Sequence, residues 1–325
     1  MVKAAGAILP LLLHTGVMAT PIITDGSLDR VRKTPRVVLP VRADIFGERA
    51  TRFASVAAGN AMSGYLQLMA KVARAQQSAL ASRTAEAVSE AAMTASREYG
   101  MPPLSAQSHE RSPQWRADLA DIVSHVRAQS TNGVQAALAT LGALDEAAQE
   151  SLADRVLAGT SLNDEAALVP FIGAALQTYF TRLAATLDVA LVEHCDIPGI
   201  CPVCASRPVA SVLRIGGEQA DLRYLVCSLC ATEWNMSRIQ CTSCDTDKGV
   251  KYLMLQAEGD SKTEAAARAE TCDECKSYLK IFYQEKDPHL DPTADDLATL
   301  ALDLLVDQQG YARSGPNLLF HPGSS

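Results

Sequence analysis

Apolar positions recur at helical spacing through the first two-thirds of the chain. Between Met62 and Leu80 they fall at Met62, Tyr65, Leu66, Met69, Val72 and Ala73, one face of a helix. After the polar break "GMPPLSAQSHERS", Ser112-Pro113 reads as an N-cap with proline at the first helical position. Trp115, Leu119, Ile122, Val123 and Val126 form the stripe behind it. The most apolar helix candidate runs from Asn163 to Val192, with Leu168, Ile172, Leu176, Phe180, Leu183, Leu187 and Leu191 in phase and Pro170 starting or kinking it. Residues 43–194 are therefore expected to form an all-helical bundle whose leucine and methionine stripes are core.

The period changes after "HCDIPGICPVC", where Pro198 and Gly199 break the helical pattern. "ASVLRI" and "LRYLV" flank Gly216-Gly217 and read as a hairpin with a two-residue turn. "VKYLMLQ" and "SYLKIFYQ" read as two further strands, while "SKTEAAARAE" between them fits a short helix or a loop equally. Helical signals return after Asp287-Pro288. Asp291 or Thr293 caps, Asp295 and Asp296 occupy the first turn, and Leu297, Leu300, Ala301, Leu304 and Leu305 make one face.

The pattern predicts an α+β protein: an N-terminal helical bundle, two small strand units and a C-terminal helix. The expected boundaries are a disordered or extended segment at 1–40, a helical domain at 41–197, a first cysteine module at 198–238, a second at 239–290, and a helix with its tail at 291–325. A net charge of -8 and a pI near 5.3 argue against non-specific nucleic-acid binding, which needs a basic face. The N-terminal "MVKAAGAILPLLLHTGVMAT" is too short to span a bilayer. Its Val17-Met18-Ala19 ending resembles a signal-peptidase site, but export would carry paired thiols into an oxidising space. An extension or an over-long start is the favoured reading, with no stable membrane association.

The cysteines change the picture most. All nine lie after residue 194, and eight form CxxC pairs: Cys201/Cys204, Cys227/Cys230, Cys241/Cys244 and Cys272/Cys275. A CxxC turn lets two thiolates converge on one ion, and two such turns give a tetrahedral sulfur site for zinc or iron. Four pairs make two sites and leave Cys195 over, a spare thiol beside His194. The hairpin favours a sequential grouping: Cys201, Cys204, Cys227 and Cys230 in one site, Cys241, Cys244, Cys272 and Cys275 in the other. An interleaved grouping, first pair with third, is the alternative. Thioredoxin chemistry would need a pair opening a helix in a strand-helix-strand unit. Iron–sulfur clusters more often use tighter runs. No phosphate-binding glycine loop, GxSxG or HExxH is found, and His109, His125, His194 and His289 are scattered. No catalytic residue is expected.

"CPVCASRPVAS", "LRYLVCSLCATEWNMSRIQCTSC", "CDECKSYLKIFYQEKDP", "ADDLATLALDLL" and "GYARSGPNLLF" together resemble the formate dehydrogenase accessory protein family, FdhE. The likeness is dense over residues 198–322 and weaker from about residue 40, where "RVVLPVRADIFGERATRFASVA" resembles the family's helical entry. It does not reach the first 20 to 30 residues. The resemblance implies a cytoplasmic, non-enzymatic assembly factor for respiratory formate dehydrogenase. Such a factor binds the catalytic subunit before export and carries two rubredoxin-like modules that hold iron or zinc. The eight paired cysteines match the family's ligand positions. Glu233, Trp234, Gln284, Glu285, Lys286 and Asp287 are candidate partner contacts. Two departures stand out. Ala205, Ala231, Asp245 and Lys276 occupy positions where rubredoxin turns often have glycine, and Asn235 follows Trp234 where histidine is often found. A rubredoxin-like redox protein, or a zinc-ribbon nucleic-acid binder, is the alternative function.

Overall fold

A computed structural model describes residues 34–160, 163–192, 197–255 and 265–321. The expectations for the N-terminal 33 residues and for Cys195 beside His194 fall outside the described residues.

The helical part is built around α7 (Val169–Ala184), in which every residue is buried. Its sequence, VPFIGAALQTYFTRLA, is apolar on all sides, so it is a central helix rather than a surface one. Around it stand α1 (Ile45–Val56), α2 (Ser63–Ser82), α3 (Glu90–Tyr99), α4 (Gln114–Arg127), α5 (Asn132–Ala143) and α6 (Glu146–Ala158). In the expected stripes, Leu66, Met69, Val72 and Ala73 of α2 and Trp115, Leu119, Ile122 and Val126 of α4 are buried, while Met62, Tyr65 and Val123 are half-buried at the edges. Helix α7 stops at Ala184, and Leu191 lies in a separate short 3-10 turn. Pro113 sits at the N-cap of α4, one residue earlier than expected, while Ser112 Oγ accepts from Gln114 N–H at 3.3 Å. The one buried charge on α7, Arg182, is answered by Asp118 of α4 through bonds of 2.9 and 2.7 Å. Asp118 also accepts from Arg83 at 2.9 Å, so removing Arg182 would leave it one partner, whereas removing Asp118 would strand the Arg182 charge in the core.

The strands form one continuous sheet. In spatial order they are β1 (Val37–Val38), β4 (Glu233–Asn235), β3 (Arg223–Cys227), β2 (Pro208–Leu213), β7 (Ser277–Tyr283), β6 (Ala267–Cys272) and β5 (Val250–Leu253), with β8 (Ala312–Arg313) also pairing β7. The parallel pairing of β2 with β7, Ser211 opposite Ile281, joins the two cysteine units, so the boundary expected near residue 238 falls inside a shared sheet.

Several expectations need correction. Gly216-Gly217 does not make a two-residue turn. Both glycines adopt positive φ, but they sit in a wider loop with a 3-10 turn at Gly217–Gln219, and the ladder closes only at Arg214 and Leu222. Residues 34–40 contain β1 and the buried Val37, tied to the sheet at Trp234. Part of "SKTEAAARAE" is strand β6: pairing on both sides overrides the helix preference of its alanines. The C-terminal helix breaks at Thr299 into α8 (Pro292–Ala298) and α9 (Leu300–Gln308). That break shifts the phase: Leu302 and Val306 face inward, while Leu304 and Leu305 are exposed. Among the described residues, no helix is long and apolar enough to cross a membrane.

Candidate metal centres

The same backbone turn occurs at each cysteine pair. Cys201 N–H donates to Ser206 O at 2.9 Å, Cys227 to Thr232 O at 2.9 Å, and Cys241 to Thr246 O at 2.8 Å. The residue after each second cysteine adopts positive φ: Ala205 (60°), Ala231 (59°), Asp245 (63°) and Lys276 (52°). These are the four positions that lack the usual glycine, and the turn forms regardless at a cost of about 1 kcal/mol each. The turn aims amides at sulfur. Val203 N–H reaches Cys201 Sγ at 3.4 Å, Leu229 N–H reaches Cys227 Sγ at 3.3 Å, and Ser243 N–H reaches Cys241 Sγ at 3.4 Å.

The sulfurs gather in the sequential grouping, and the interleaved one is not formed. In the first cluster Cys201 and Cys230 sulfurs are 3.6 Å apart, Cys204 and Cys227 3.4 Å. In the second, Cys241 and Cys275 are 3.6 Å apart, Cys244 and Cys272 3.7 Å. A disulfide needs about 2.05 Å. Tetrahedral bonds of about 2.3 Å to one ion place sulfurs about 3.8 Å apart, which fits both clusters. Crowding makes the same point electrostatically. Burial and the neighbouring thiols push Cys201 and Cys227 well above the ordinary thiol range. At Cys204 burial also raises, but hydrogen bonds from the other three thiols and Ser206 outweigh it and hold the group well below that range. A divalent cation bound among these sulfurs would supply the charge that favours their thiolate form.

The surroundings of the two clusters differ. All four sulfur-bearing residues of the first are buried, in one core with α7 and Trp234, Met236, Val203 and Leu229. The helical part clamps it: Leu104 N–H donates to Val203 O and Ala106 N–H to Cys204 O, both at 2.9 Å, and Gln177 Nε2 of α7 donates to Ser228 O at 2.8 Å. In the second cluster Cys241 and Cys272 are buried but Cys244 and Cys275 are exposed. Burial raises Cys275, yet together the hydrogen bonds from Ser277, whose hydroxyl is 3.0 Å away, and from Cys244 and Cys241 bring it down to about 7. A surface collar holds this turn. Asp273 accepts from Tyr311 OH at 2.6 Å and pairs with Lys251 at 2.5 Å and Lys276 at 3.3 Å.

Beyond the β2–β7 pairing, side-chain and close backbone contacts tie the two cysteine units together. Arg223 of β3 pairs with Glu270 of β6 at 2.7 Å, both buried, and also donates to Ser237 O and Gln240 O. Gly199 lies against the Thr242 carbonyl so closely that a Cβ would come within 2.1 Å of it. Nothing in the sequence pattern pointed to Gln177, Ser277, Arg223 or Glu270, since each acquires its role only through distant packing.

The candidate partner contacts separate by burial. Trp234 is only 5% exposed and donates from Nε1 to Pro198 O at 2.7 Å, which removes it from the surface. Glu233 is half-buried in an ion pair with Arg214. Gln284 Oε1 accepts from Ile215 N–H at 3.2 Å, and Asp287 pairs with Arg52 at 2.5 Å. Glu285 and Lys286 are exposed. The acidic residues near Asp295 do more than start a helix. Asp291 caps α8, whereas Asp295 pairs with Arg52, and Asp296 with Lys280 and Arg313.

Three family models match in order: FdhE, N-terminal, over residues 34–195; FdhE, central domain, over 200–238; and FdhE, C-terminal domain, over 239–320. The chain is 38% identical over 307 residues to a Protein FdhE homolog of Pseudomonas aeruginosa, covering 94% of this chain and 99% of that one. It is 39% identical over 295 residues to a Protein FdhE homolog of Edwardsiella ictaluri, covering 88% and 92%. Among solved structures, the crystal structure of the FdhE protein from Pseudomonas aeruginosa matches with a TM-score of 0.79 at 38% identity, covering 89% of this chain and 100% of that one.

Proposed function

The chain belongs to the FdhE family, and from that premise we propose that it is a non-catalytic accessory factor for the formation of respiratory formate dehydrogenase. It binds that enzyme's catalytic subunit in the cytoplasm before export. The observation that carries this reading is the ordered match of all three FdhE models across residues 34–320. Each four-cysteine cluster holds one ion of zinc or iron, with Cys201, Cys204, Cys227 and Cys230 around one and Cys241, Cys244, Cys272 and Cys275 around the other. The convergence of each set of sulfurs within 4.8 Å supports this.

The partner surface is a patch around the loop 214–222. Arg214 holds Glu233 on one side, Ile215 binds Gln284 on the other, and Ile215 itself is 44% exposed. Glu285 and Lys286 extend the patch into solvent. A partly apolar centre with a charged rim suits a protein partner.

The test is deletion of the gene in its own host. Formate dehydrogenase activity is lost and returns with the wild-type chain. Affinity capture then retrieves the catalytic subunit, and retrieval weakens with the variant Ile215→Asp/Lys286→Glu. Unchanged enzyme activity in the deletion strain overturns the accessory role. Equal capture by the variant overturns the placement of the surface. A rubredoxin-like redox role is the second reading, favoured by the solvent access of Cys244 and Cys275. Stoichiometric zinc in protein purified without air from iron-rich cells counts against it.

A further inference from the structure

The two clusters are built from one turn, yet only one of them is reachable from water. We propose that the second cluster is a labile metal site, which takes up and surrenders its ion at the surface, and that the first is permanent. The inference rests on the reading that both clusters hold metal.

The first cluster has no open side. Its four cysteines are buried, its sulfurs lie in the same apolar core as α7, and backbone bonds from Leu104 and Ala106 close over the Cys201–Cys204 turn. An outside donor reaches those sulfurs only after the helical part separates from the sheet. That opening is a sub-global unfolding and carries a correspondingly large free energy.

The second cluster has two sulfurs on the outside. Cys244 and Cys275 are exposed and come from different turns, so an incoming donor meets one thiolate from each. Its cysteines belong to none of the apolar clusters of the described residues. Backbone bonds from Asp273 N–H to Gly249 O at 3.0 Å and from Ala312 N–H to Lys276 O at 2.8 Å hold the Cys272–Cys275 turn. The side-chain collar of Lys251, Asp273, Lys276 and Tyr311 on its outer side is made of exposed ion pairs that open readily. Ser277 places its hydroxyl 3.0 Å from Cys275 and 3.8 Å from Cys241, ready to bond a sulfur that has been freed. Each freed thiolate takes one proton from water, and no electrons are transferred.

The experiment uses the full-length protein, reconstituted with Zn2+ without air and desalted. The zinc content is measured first. Chelator is then added, zinc release is followed with time, and samples are alkylated and mapped by peptide mass spectrometry. Two ions per chain are expected. One leaves more than about tenfold faster than the other, because its release needs no global opening. During the fast phase label appears on Cys241, Cys244, Cys272 and Cys275, while Cys201, Cys204, Cys227 and Cys230 stay protected. The variant Cys244→Ser loses the fast phase alone and keeps the helical circular dichroism signal. Release of both ions at one rate, or earlier labelling of the first set, overturns the division. One ion per chain with the first set already labelled overturns the division as well, and no bound zinc overturns the metal reading itself and this inference with it.

Discussion

The two cysteine clusters share a turn, a grouping and a sulfur spacing, but they stand in different solvents. Sulfur pairs at 3.4 and 3.6 Å in the first cluster match pairs at 3.6 and 3.7 Å in the second. The first lies inside the core that also holds α7, and the second lies half in water. The local turn sets what the sulfurs can bind. The packing around it sets what happens when they let go. A site in the core is part of the fold, and a site at the rim can change without unfolding the rest.

The largest effect expected from this difference is in single cysteine replacements. Cys201→Ser removes a ligand from the buried cluster, where structural metal sites supply roughly 10 kcal/mol or more of apparent folding free energy. Little soluble protein is expected, and what remains should show a reduced helical signal, because the helical part and the cluster share one core. Cys241→Ser should leave the helical signal intact and expose only the segment around β5 and β6 to protease. Circular dichroism with limited proteolysis distinguishes the two. Equal loss of helix in both variants would break the comparison.

That asymmetry was not legible in the sequence, although the clusters themselves were. Four CxxC pairs specify the turn, and the hairpin of β2 and β3 brings Cys204 and Cys227 together, so local spacing carries the grouping. Burial depends on residues far away. Gln177 reaches Ser228 and Leu104 reaches Val203 across large stretches of chain, and no spacing rule records such pairs. The helix stripes of α2 and α4 were readable because period and burial agree there. Leu304 and Leu305 were misassigned because a single break at Thr299, whose Oγ1 bonds Asp295 O at 2.8 Å, rotates everything after it. Strand β6 was missed because an alanine-rich segment has no strand signal of its own and is held by pairing with β5 and β7.

The next effect concerns how independent the clusters are. Arg223 and Glu270 are the buried pair between their strands, and removing one partner leaves a charge without an answer. Arg223→Met is expected to cost about 3–5 kcal/mol, and Arg223→Met/Glu270→Leu to recover most of that. Burial, the largest influence on Glu270, holds it above the ordinary carboxyl range against the lowering by Arg223. The folded state then binds this proton more tightly than the unfolded state. That contribution to stability is present at low pH and fades as pH climbs from the ordinary 4.5 through the raised value. Glu270→Gln should flatten this slope in urea titrations run across pH. An Arg223→Met protein that unfolds in two separate steps would show that the pair is what makes the clusters one cooperative unit.

The smallest effect probes the turns themselves. Ala205 and Lys276 hold equivalent left-handed positions, at φ 60° and 52°, after the second cysteine of their turns. Glycine relieves about 1 kcal/mol of that conformational cost. It also gives back part of the gain by loosening the unfolded chain, roughly 0.4–1 kcal/mol. At Ala205 nothing else changes, so Ala205→Gly should raise the urea midpoint slightly at constant slope. Lys276 also pairs with Asp273 at 3.3 Å and lies 5.4 Å over the Tyr311 ring. Losing those exposed contacts costs a few tenths of a kcal/mol each, about enough to cancel the gain. Lys276→Gly should therefore leave the midpoint level or lower. If both variants gain equally, the collar contributes nothing to the second turn. The exposed cluster would then be held by its ion and the backbone bonds of β5, β6 and β7, with no help from the side chains around it.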